Sequence, residues 1–487
     1  MVANGGTDRI NASGSTYPGQ ELKFRQSREK VCFNLEIKRL IGFSLTRRRI
    51  DHLISCVDEL LNRQINEIIH NPSFQALEAA WRGVYLLARH AGSRSGVKLK
   101  LLDLNWNTLA RDVEGASEFD QTELFNFIYN LEFGMPGGEP FGLIVADYVL
   151  GPGVKNGFDV VSVLTQVSTI AAAAFCPFIA EAAPSILGLC DFNELKHAPN
   201  LKVSIQDSSH RRWNRLREHE DTRFVGLVGP RILMRKPYSI NSRDRINQFP
   251  FREMIRMEDQ HLLWGNGAFA FALVIIRCYL ETGWFSDIRG IKYDGKGGGA
   301  LSALDIEPYD DLLESNSLSA QPPVSIRLSS SQEQHFRDNG LIPLAPTYLS
   351  PTLVFNSNAS LHLPSQKQNE NTRLNAMLQY VLCVSRFCQY LKVIMRNEIG
   401  SSMSADRLSN IIEKFLFEYT SATISSDLDF CSRYPLRAAS VNIHEYPGHQ
   451  DKYVCRVHIQ PRTQIFDVST VFQIIFENPG LQEKIFL

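Results

Sequence analysis

Apolar residues recur at helical spacing in several stretches of the chain. The longest stripe runs from Ile50 to Ile69 and follows the period of an amphipathic helix. The helix should end before Pro72, because the residue preceding a proline avoids the helical region. Ser73 can cap a second helix from Phe74 to Ala91. Further helices are predicted near residues 119–132, 160–174, 260–282, 374–394 and 411–419.

Other segments carry the patterns of strands. Val97–Leu104 alternates apolar and basic side chains, whereas Phe141–Val149 is a continuous apolar run that suits a central strand covered on both faces. Phe224–Met234 is also strand-like. This alternation of elements predicts a mixed α/β fold, in which mixed sheets are flanked by long helices.

The C-terminal part is rich in strand patterns. Val441–Tyr446 and Tyr453–Gln460 flank Pro447-Gly448, which is typical of a hairpin, and a third strand-like run covers residues 468–476. In the second strand the alternate positions able to face a core are Tyr453, Cys455, Val457 and Ile459. Such strands either form an ordinary hairpin within the chain or offer an edge to a neighbouring molecule.

Polar loops divide the chain into regions. The segment from Asn356 to Gln368 is the best boundary, because it separates the long α/β portion from the next helix. We therefore expect a mobile N-terminal arm (residues 1–44), a main α/β region (45–365) and a C-terminal domain (366–487) that ends in these strands.

Composition places the chain among soluble globular proteins. Hydrophobic residues make up 44 % and charged residues 21 %, which is enough apolar material for a large core. The formal net charge of -1 gives no electrostatic footprint for nucleic acid or an anionic membrane. The apolar stretches at residues 170–183 and 262–280 are too short or too interrupted to span a bilayer, so no membrane insertion is expected.

The nine cysteines form no Cys-x-x-Cys pair, and several stand in apolar runs. This pattern indicates reduced, buried thiols in a cytosolic protein rather than a disulfide framework or a zinc site. The polar residues Met1–Gln20 contain no apolar core of a secretory signal.

No motif for catalysis or cofactor binding is complete. Gly295–Gly299 contains Lys296, but the next residue is glycine instead of the Ser or Thr that a phosphate loop needs. Gly134–Pro140 precedes a strand, whereas a dinucleotide fingerprint follows one. The histidines lack zinc-like spacing, and His219, between two glutamates, fits a surface group. We expect no catalytic, cofactor or metal site.

A basic stretch, Arg211–Arg217, encloses Trp213. Base stacking with phosphate pairing is one interpretation. The adjacent Glu218, Glu220 and Asp221 favour a salt-bridged contact or a solvated helix face instead.

Seven segments, in order along the chain, carry a family resemblance. They are residues 62–83, 118–148, 171–180, 217–238, 263–266, 378–392 and 434–437. Examples are Trp81-Arg82-Gly83, Leu263-Trp264-Gly265-Asn266 and Tyr434-Pro435-Leu436-Arg437. With these motifs the chain resembles the large subunit of the bacterial type VI secretion contractile sheath, the TssC/VipB family.

The resemblance implies a structural, non-enzymatic role in the bacterial cytoplasm. The implied partners are the small sheath subunit (TssB/VipA type), the inner tube of Hcp protein, a ClpV-type AAA+ unfoldase and the baseplate. The subunits would assemble as stacked hexameric rings around the inner tube and contract to propel it. The resemblance also favours exchange of C-terminal strands between neighbouring subunits.

The first long helix has two interpretations. Ile50, Leu53, Val57 and Leu61 could pack on the core of this chain or form a bundle shared with the small subunit. Two other functions stay open at this point. A single-component sheath of the phage-tail type needs no small partner, and a cytosolic enzyme needs a polar pocket that the sequence does not reveal.

Overall fold

The computed structural model describes residues 47–476 apart from stretches 93–95, 136, 197–207, 239–248, 250, 256–261, 286, 293–296, 310–320, 348–349, 351, 364–375, 399–404, 424–429, 431–432, 446–452 and 463–471. The predicted arm, the Pro447-Gly448 turn and Lys296 lie outside the described residues. Two compact units are formed, one by residues 1–67 with 239–253 and one by residues 68–238 with 254–487. The predicted domain limits at residues 44 and 365 stay predictions.

Most helices follow the predicted apolar periodicity. They are α1 (Arg47–Ile69), α2 (Pro72–Ala91), α3 (Trp106–Gly115), α4 (Val160–Ala173), α5 (Ser208–Arg217), α6 (Gly267–Thr282), α7 (Ser330–Asp338), α8 (Leu378–Glu398) and α9 (Ala405–Glu418). The strands are β1 (Ile144–Leu150), β2 (Val154–Lys155), β3 (Phe158–Asp159), β4 (Phe178–Ala182), β5 (Val225–Gly229), β6 (Ile232–Leu233), β7 (Trp264–Gly265), β8 (Ala300–Leu301), β9 (Leu341–Pro346), β10 (Leu353–Phe355), β11 (Leu436–Glu445), β12 (Tyr453–Pro461) and β13 (Phe472–Phe476).

The larger unit is built on a six-stranded mixed sheet in the order β1-β4-β5-β9-β10-β8. β1, β4, β5 and β9 are parallel, and β10 runs antiparallel to both β9 and β8. Side chains alternate across the sheet. On β4, Phe178 and Ala180 join the core that contains α4, whereas Ile179 joins the core that contains α6. Helices therefore cover both faces, as the apolar strands require, and the mixed α/β fold is confirmed.

Helix α2 packs closely on α6. Its buried residues Ala79, Gly83, Leu87 and Ala91 recur every four positions and so share one face. A Cβ atom added at Gly83 would lie 2.5 Å from the ring of Phe269 on α6, so only glycine permits this approach. The N-cap of α2 is Asn71, whose side chain accepts a hydrogen bond from the Ser73 amide. The prediction of Ser73 as the cap was wrong, because Pro72 already occupies the first helical turn.

The C-terminal sheet has the order β11-β12-β13, and both pairings are antiparallel. It packs with α8 and α9 around a third core that includes Leu391, Ile412 and Val457. Helix α8 joins this core to the main sheet, because Leu378 and Leu382 near its start belong to the core around α6.

Two segments differ from their predicted structure. Val97–Leu104 is neither helical nor paired as a strand among the described residues. The segment predicted as one helix over 119–132 is a 3₁₀ turn, then a short α-helical turn, then a π-helix over Asn126–Gly134. The π-helix stacks Tyr129 on Phe125, with ring centroids 4.7 Å apart. A π-helix has i→i+5 hydrogen bonds, and the apolar periodicity of a sequence does not distinguish it from an α-helix.

Candidate assembly surfaces

Helix α1 exposes its apolar side chains. Ile50, Val57 and Leu61 are 43 %, 39 % and 41 % exposed, and Ile54 and Ile68 are also exposed. These positions are separated by three, four or seven residues, so they form one stripe, the α1 stripe. Leu53, beside the stripe, is half-buried. The structure thus brings all four residues predicted on α1 to one side of the helix.

The other side of α1 carries polar contacts. Glu59 and Arg63 form an ion pair. The Asn66 side chain donates to the Arg252 carbonyl (3.1 Å), and the Arg252 amide donates to the Asn62 side chain (3.0 Å). A surface helix of a monomer normally buries its apolar stripe and exposes its polar face. On α1 the apolar stripe is left exposed as well, which is typical of a protein–protein contact.

Helix α2 carries a second exposed apolar row, which sequence reasoning missed. Phe74, Leu77, Trp81 and Tyr85 are 39 %, 57 %, 59 % and 67 % exposed and lie on the face opposite Gly83. The sequence carried a signal for this row in Trp81 and Tyr85, which are aromatic and four positions apart. Large apolar side chains on two opposite faces of a helix cannot all be buried against one core. Aromatic residues of this kind are enriched in interfaces.

The predicted residues of β12 are in the core of this chain. Cys455, Val457 and Ile459 are fully buried, in the cluster that contains α8 and α9. All three therefore face a core of this chain, and their predicted place in a subunit interface stays a prediction. The side chain of Tyr453 is outside the described part, and its backbone pairs with Glu445. β12 is bonded on both sides, so the outer strands of this sheet are β11 and β13.

Polar groups considered for chemistry are dispersed. Among the described residues no group of three or more His, Cys, Asp and Glu side chains could hold a metal ion. His219 is exposed, and its Nδ1 lies 3.7 Å from an Asp221 oxygen. Trp213 is buried, and Arg212 pairs with Asp159. The Trp213 ring therefore packs into the protein instead of being available for base stacking. The Arg212–Asp159 ion pair agrees with the salt-bridge interpretation of this stretch.

The described cysteines are free thiols. Burial raises the pKa of Cys278, Cys383 and Cys455 to about 12, and raises the pKa of Cys176 further. A thiol with so high a pKa is neither a nucleophile nor a metal ligand near neutral pH. In the described part of the chain, no helix is both long and apolar enough to cross a bilayer.

Comparisons with known proteins give sheath proteins along nearly the whole chain. Residues 51–362 match the family described as EvpB/VC_A0108, tail sheath N-terminal domain. Residues 367–477 match the tail sheath gpW/gp25-like domain of the same description. The type VI secretion system sheath protein TssC1 of Pseudomonas aeruginosa is 28 % identical over 483 residues, which cover 95 % of this chain and 94 % of that protein.

Solved structures give weaker likenesses. A chain of the anti-feeding prophage baseplate has a TM-score of 0.36 and 11 % identity, and the match covers 77 % of this chain and 82 % of that one. For a sheath tail protein of Listeria innocua the TM-score is 0.31 and the identity 12 %, with 66 % and 60 % covered. The family matches alone span most of the sequence, and the chain belongs to the EvpB/VC_A0108 tail sheath family, the TssC/VipB proteins.

Proposed function

We propose that this sheath protein is the large structural subunit of a type VI secretion contractile sheath and acts in the bacterial cytoplasm without catalysis. The observation that carries the proposal is the relation to a type VI sheath protein over nearly the whole length of both chains.

The first proposed partner is a small sheath subunit of the TssB/VipA type, which covers the α1 stripe. Ile50, Val57 and Leu61 are exposed, and Leu53 lies beside them. Taking an apolar side chain of this size from full exposure to full burial contributes about 1.5–3 kcal/mol, so covering the part of each that is still exposed adds a fraction of that. A helix of the small subunit would complete a bundle on this stripe.

The second proposed contact is strand exchange at the C-terminal sheet. We assign it to the outer edges of β11 and β13, because β12 has both neighbours in place. In this arrangement the interface is formed by the strand edges and not by the side chains of β12. The role of Cys455, Val457 and Ile459 is then to pack the sheet on α8. Tyr453 is the first residue of the same strand. Backbone ladders at these edges would join subunits while leaving each core intact.

The remaining partners follow from family membership. We propose that the assembled rings are hexameric, enclose the Hcp inner tube, start from a baseplate and are taken apart by a ClpV-type AAA+ unfoldase. No cofactor is required, because the work of contraction comes from a change in subunit packing.

A co-expression experiment tests the proposal. Negative-stain electron microscopy would compare this chain expressed with and without its small-subunit partner. We expect long hollow tubes only on co-expression. Tubes from this chain alone would favour a single-component sheath of the phage-tail type, and a discrete monomer under both conditions would contradict assembly and reopen the search for an enzyme site.

A further inference from the structure

Helix α5 carries exposed arginines that have no acidic partner in the described part of the chain. The helix, Ser208–Arg217, contains four arginines and no carboxylate. Arg212 forms an ion pair with Asp159. Arg211 and Arg215 are exposed, and neither forms an ion pair with a described residue. These two arginines are referred to as the basic row.

The basic row is unfavourable for the isolated chain. Arg211 and Arg215 are four positions apart on one helix face, where like charges repel each other. The nearest carboxylates in the sequence do not neutralise them. Asp221 accepts a hydrogen bond from a hydroxyl of α4 at 3.1 Å, and Glu218 and Glu220 are exposed without an ion pair among the described residues. A row of like charges that its own chain leaves unbalanced is suited to an acidic surface of another molecule.

An acidic surface lies elsewhere on the same chain. Residues 105–125 contain five carboxylates and one arginine. Asp112 is used within the fold, because its carboxylate accepts the backbone amides of Glu123 and Leu124 at 3.0 and 3.1 Å. The other four carboxylates are exposed and form no ion pair with a described residue. They are referred to as the acidic turn, which consists of Glu114, Glu118, Asp120 and Glu123.

The backbone of the acidic turn is fixed by contacts within the chain. Phe119 contacts Phe125 edge to face, with ring centroids 5.6 Å apart. The Thr122 hydroxyl accepts a hydrogen bond from the Phe125 amide at 3.1 Å. A surface held in one conformation loses little entropy on binding. Arginine suits such a surface, because its guanidinium binds a carboxylate through two parallel hydrogen bonds.

The basic row and the acidic turn lie on opposite sides of helix α4. Helices α3 and α5 both pack against α4 on the same face of the main sheet. Helix α3 lies on the β1 side, where Trp106 contacts Tyr148 at 5.7 Å. Helix α5 lies on the β5 side, where Leu361 is hydrogen-bonded to both Arg217 and Val225. Packed helices are about 8–10 Å apart, so two such spacings separate the surfaces by about 16–20 Å, beyond the Debye length of about 8 Å.

We propose that the basic row of one molecule binds the acidic turn of a second copy of this chain. Surfaces of opposite charge on opposite sides of one subunit give a head-to-tail contact, which repeats from copy to copy and generates rings or helical filaments. A sheath requires this kind of contact, and the inference therefore rests on the proposed function. Because the contact is polar and exposed, it sets the orientation of neighbouring copies more than their total affinity.

A second copy fits these observations better than a polyanion does. Nucleic acid bound along a row of arginines gains from base stacking on aromatic side chains. Trp213, which the arginines of α5 enclose in the sequence, is 2 % exposed and cannot stack with a base. Nucleic acid would also leave the acidic turn without a partner, whereas a second copy satisfies both surfaces with one kind of contact.

Charge reversal tests the contact. The basic-row variant carries Arg211→Glu and Arg215→Glu, and the acidic-turn variant carries Glu114→Lys and Glu118→Lys. All four side chains are exposed, so both variants should keep the melting temperature of the wild type. Purified with the small subunit, each variant is expected to form tubes only at about tenfold or higher protein concentration, because like charges then face each other. Tubes from either variant at the wild-type concentration would overturn the proposal.

Restoring the complementarity tests whether two copies are involved. A chain with all four substitutions has the net charge of the wild type, and its two surfaces are again of opposite sign. An equimolar mixture of the two variants pairs a row of glutamates with a turn of lysines, but only between different molecules. We expect both samples to form tubes near the wild-type concentration. A mixture that assembles no better than either variant alone would contradict a contact between copies.

A pull-down with the small subunit separates this contact from the others. Both variants are expected to bind the small subunit as the wild type does, because their altered surfaces face a second copy. Loss of the small subunit from the acidic-turn variant would assign that surface to the small subunit and reject the proposal. The two proposals fail separately. A wild-type chain that forms no tubes with the small subunit contradicts the proposed function, whereas wild-type tubes with insensitive variants contradict this contact alone.

Discussion

Buried thiols are the plainest residue-scale feature of this chain. Cys278, Cys383 and Cys455 have a pKa near 12 because burial disfavours the thiolate, whereas Cys56 and Cys190 are exposed. We predict that iodoacetamide at pH 8 labels Cys56 and Cys190 in the folded chain and spares the three buried thiols, as mapped by peptide mass spectrometry. Rapid labelling of Cys383 without denaturant would contradict the packing of α8.

His362 makes stability depend on pH. Burial, with the nearby Arg223 guanidinium, lowers its pKa to about 4, and its Nδ1 lies 3.0 Å from the His219 carbonyl, to which the neutral ring donates. In the unfolded chain the pKa is near 6.5, so between pH 6.5 and 4 the unfolded state binds more protons. The contribution of His362 is therefore complete above pH 6.5 and is lost as the pH falls through this window.

Replacing His362 tests the direction of this pH dependence of stability. We predict that His362→Gln flattens the fall in unfolding free energy between pH 7 and pH 4.5, by a few kcal/mol at most, since one pKa unit corresponds to about 1.4 kcal/mol. Urea unfolding at several pH values measures it. His52→Gln, at an exposed position on α1, is the control and should leave the slope as in the wild type.

At the scale of elements, the contact of α2 with α6 depends on Gly83. A methyl group there meets the Phe269 ring, which is itself buried in the core. We predict that Gly83→Ala destabilises the chain by about 1–3 kcal/mol, although alanine favours helices, because overpacking outweighs propensity. Gly115→Ala, where nothing lies within 4 Å of the added carbon, should be neutral or slightly stabilising in the same denaturant titration.

The α1 stripe makes a prediction about assembly instead of stability. Val57→Asp or Leu61→Asp should abolish co-purification with the small subunit, because each places a charge in an apolar contact, and both side chains are already exposed in the chain alone. Ser55→Asp, exposed on the other side of α1, adds the same charge and should not affect binding. Equal pull-down by all three variants would exclude the α1 stripe as the docking surface.

Elements with long periodic patterns were predictable from the sequence. The limits of α4 were predicted within one residue, and β1 was identified from its continuous apolar run. Pattern cannot tell which partner covers an apolar face, and this is why α1 had two interpretations. Pattern also does not show how many strands lie beside a given strand. The central position of β12, and the lack of a strand partner for residues 97–104 among the described residues, are visible only in the backbone pairing of the structure.

At the scale of the whole molecule, α8 joins the two sheets. Its first turns pack with the main sheet, and its later residues pack with β12. Lys392 lies over the Tyr129 ring at 4.4 Å, and Arg396 donates to the Phe133 carbonyl at 2.7 Å, so the helix is also fixed to the π-helix. A contractile assembly needs subunits that transmit force, and these contacts connect the C-terminal sheet to the main sheet through α8.

Gln389 is the most buried of the polar links on α8. Its amide nitrogen donates to the Phe141 carbonyl at 2.6 Å and to the Phe175 carbonyl at 2.9 Å, and the residue is 1 % exposed. Gln389→Leu keeps the size but leaves these carbonyls without this donor, which costs about 1–3 kcal/mol. We predict a lower unfolding midpoint and a broader transition, because the C-terminal sheet can then separate before the main sheet unfolds.

Calorimetry measures both effects, with Gln334→Leu on the exposed side of α7 as control. If α8 transmits force, tubes containing Gln389→Leu should still assemble through the untouched α1 stripe but contract incompletely in electron micrographs. A variant with a lowered midpoint and complete contraction would show that Gln389 stabilises the fold without coupling the sheets. Loss of assembly itself would instead place the C-terminal sheet among the contacts that build the tube.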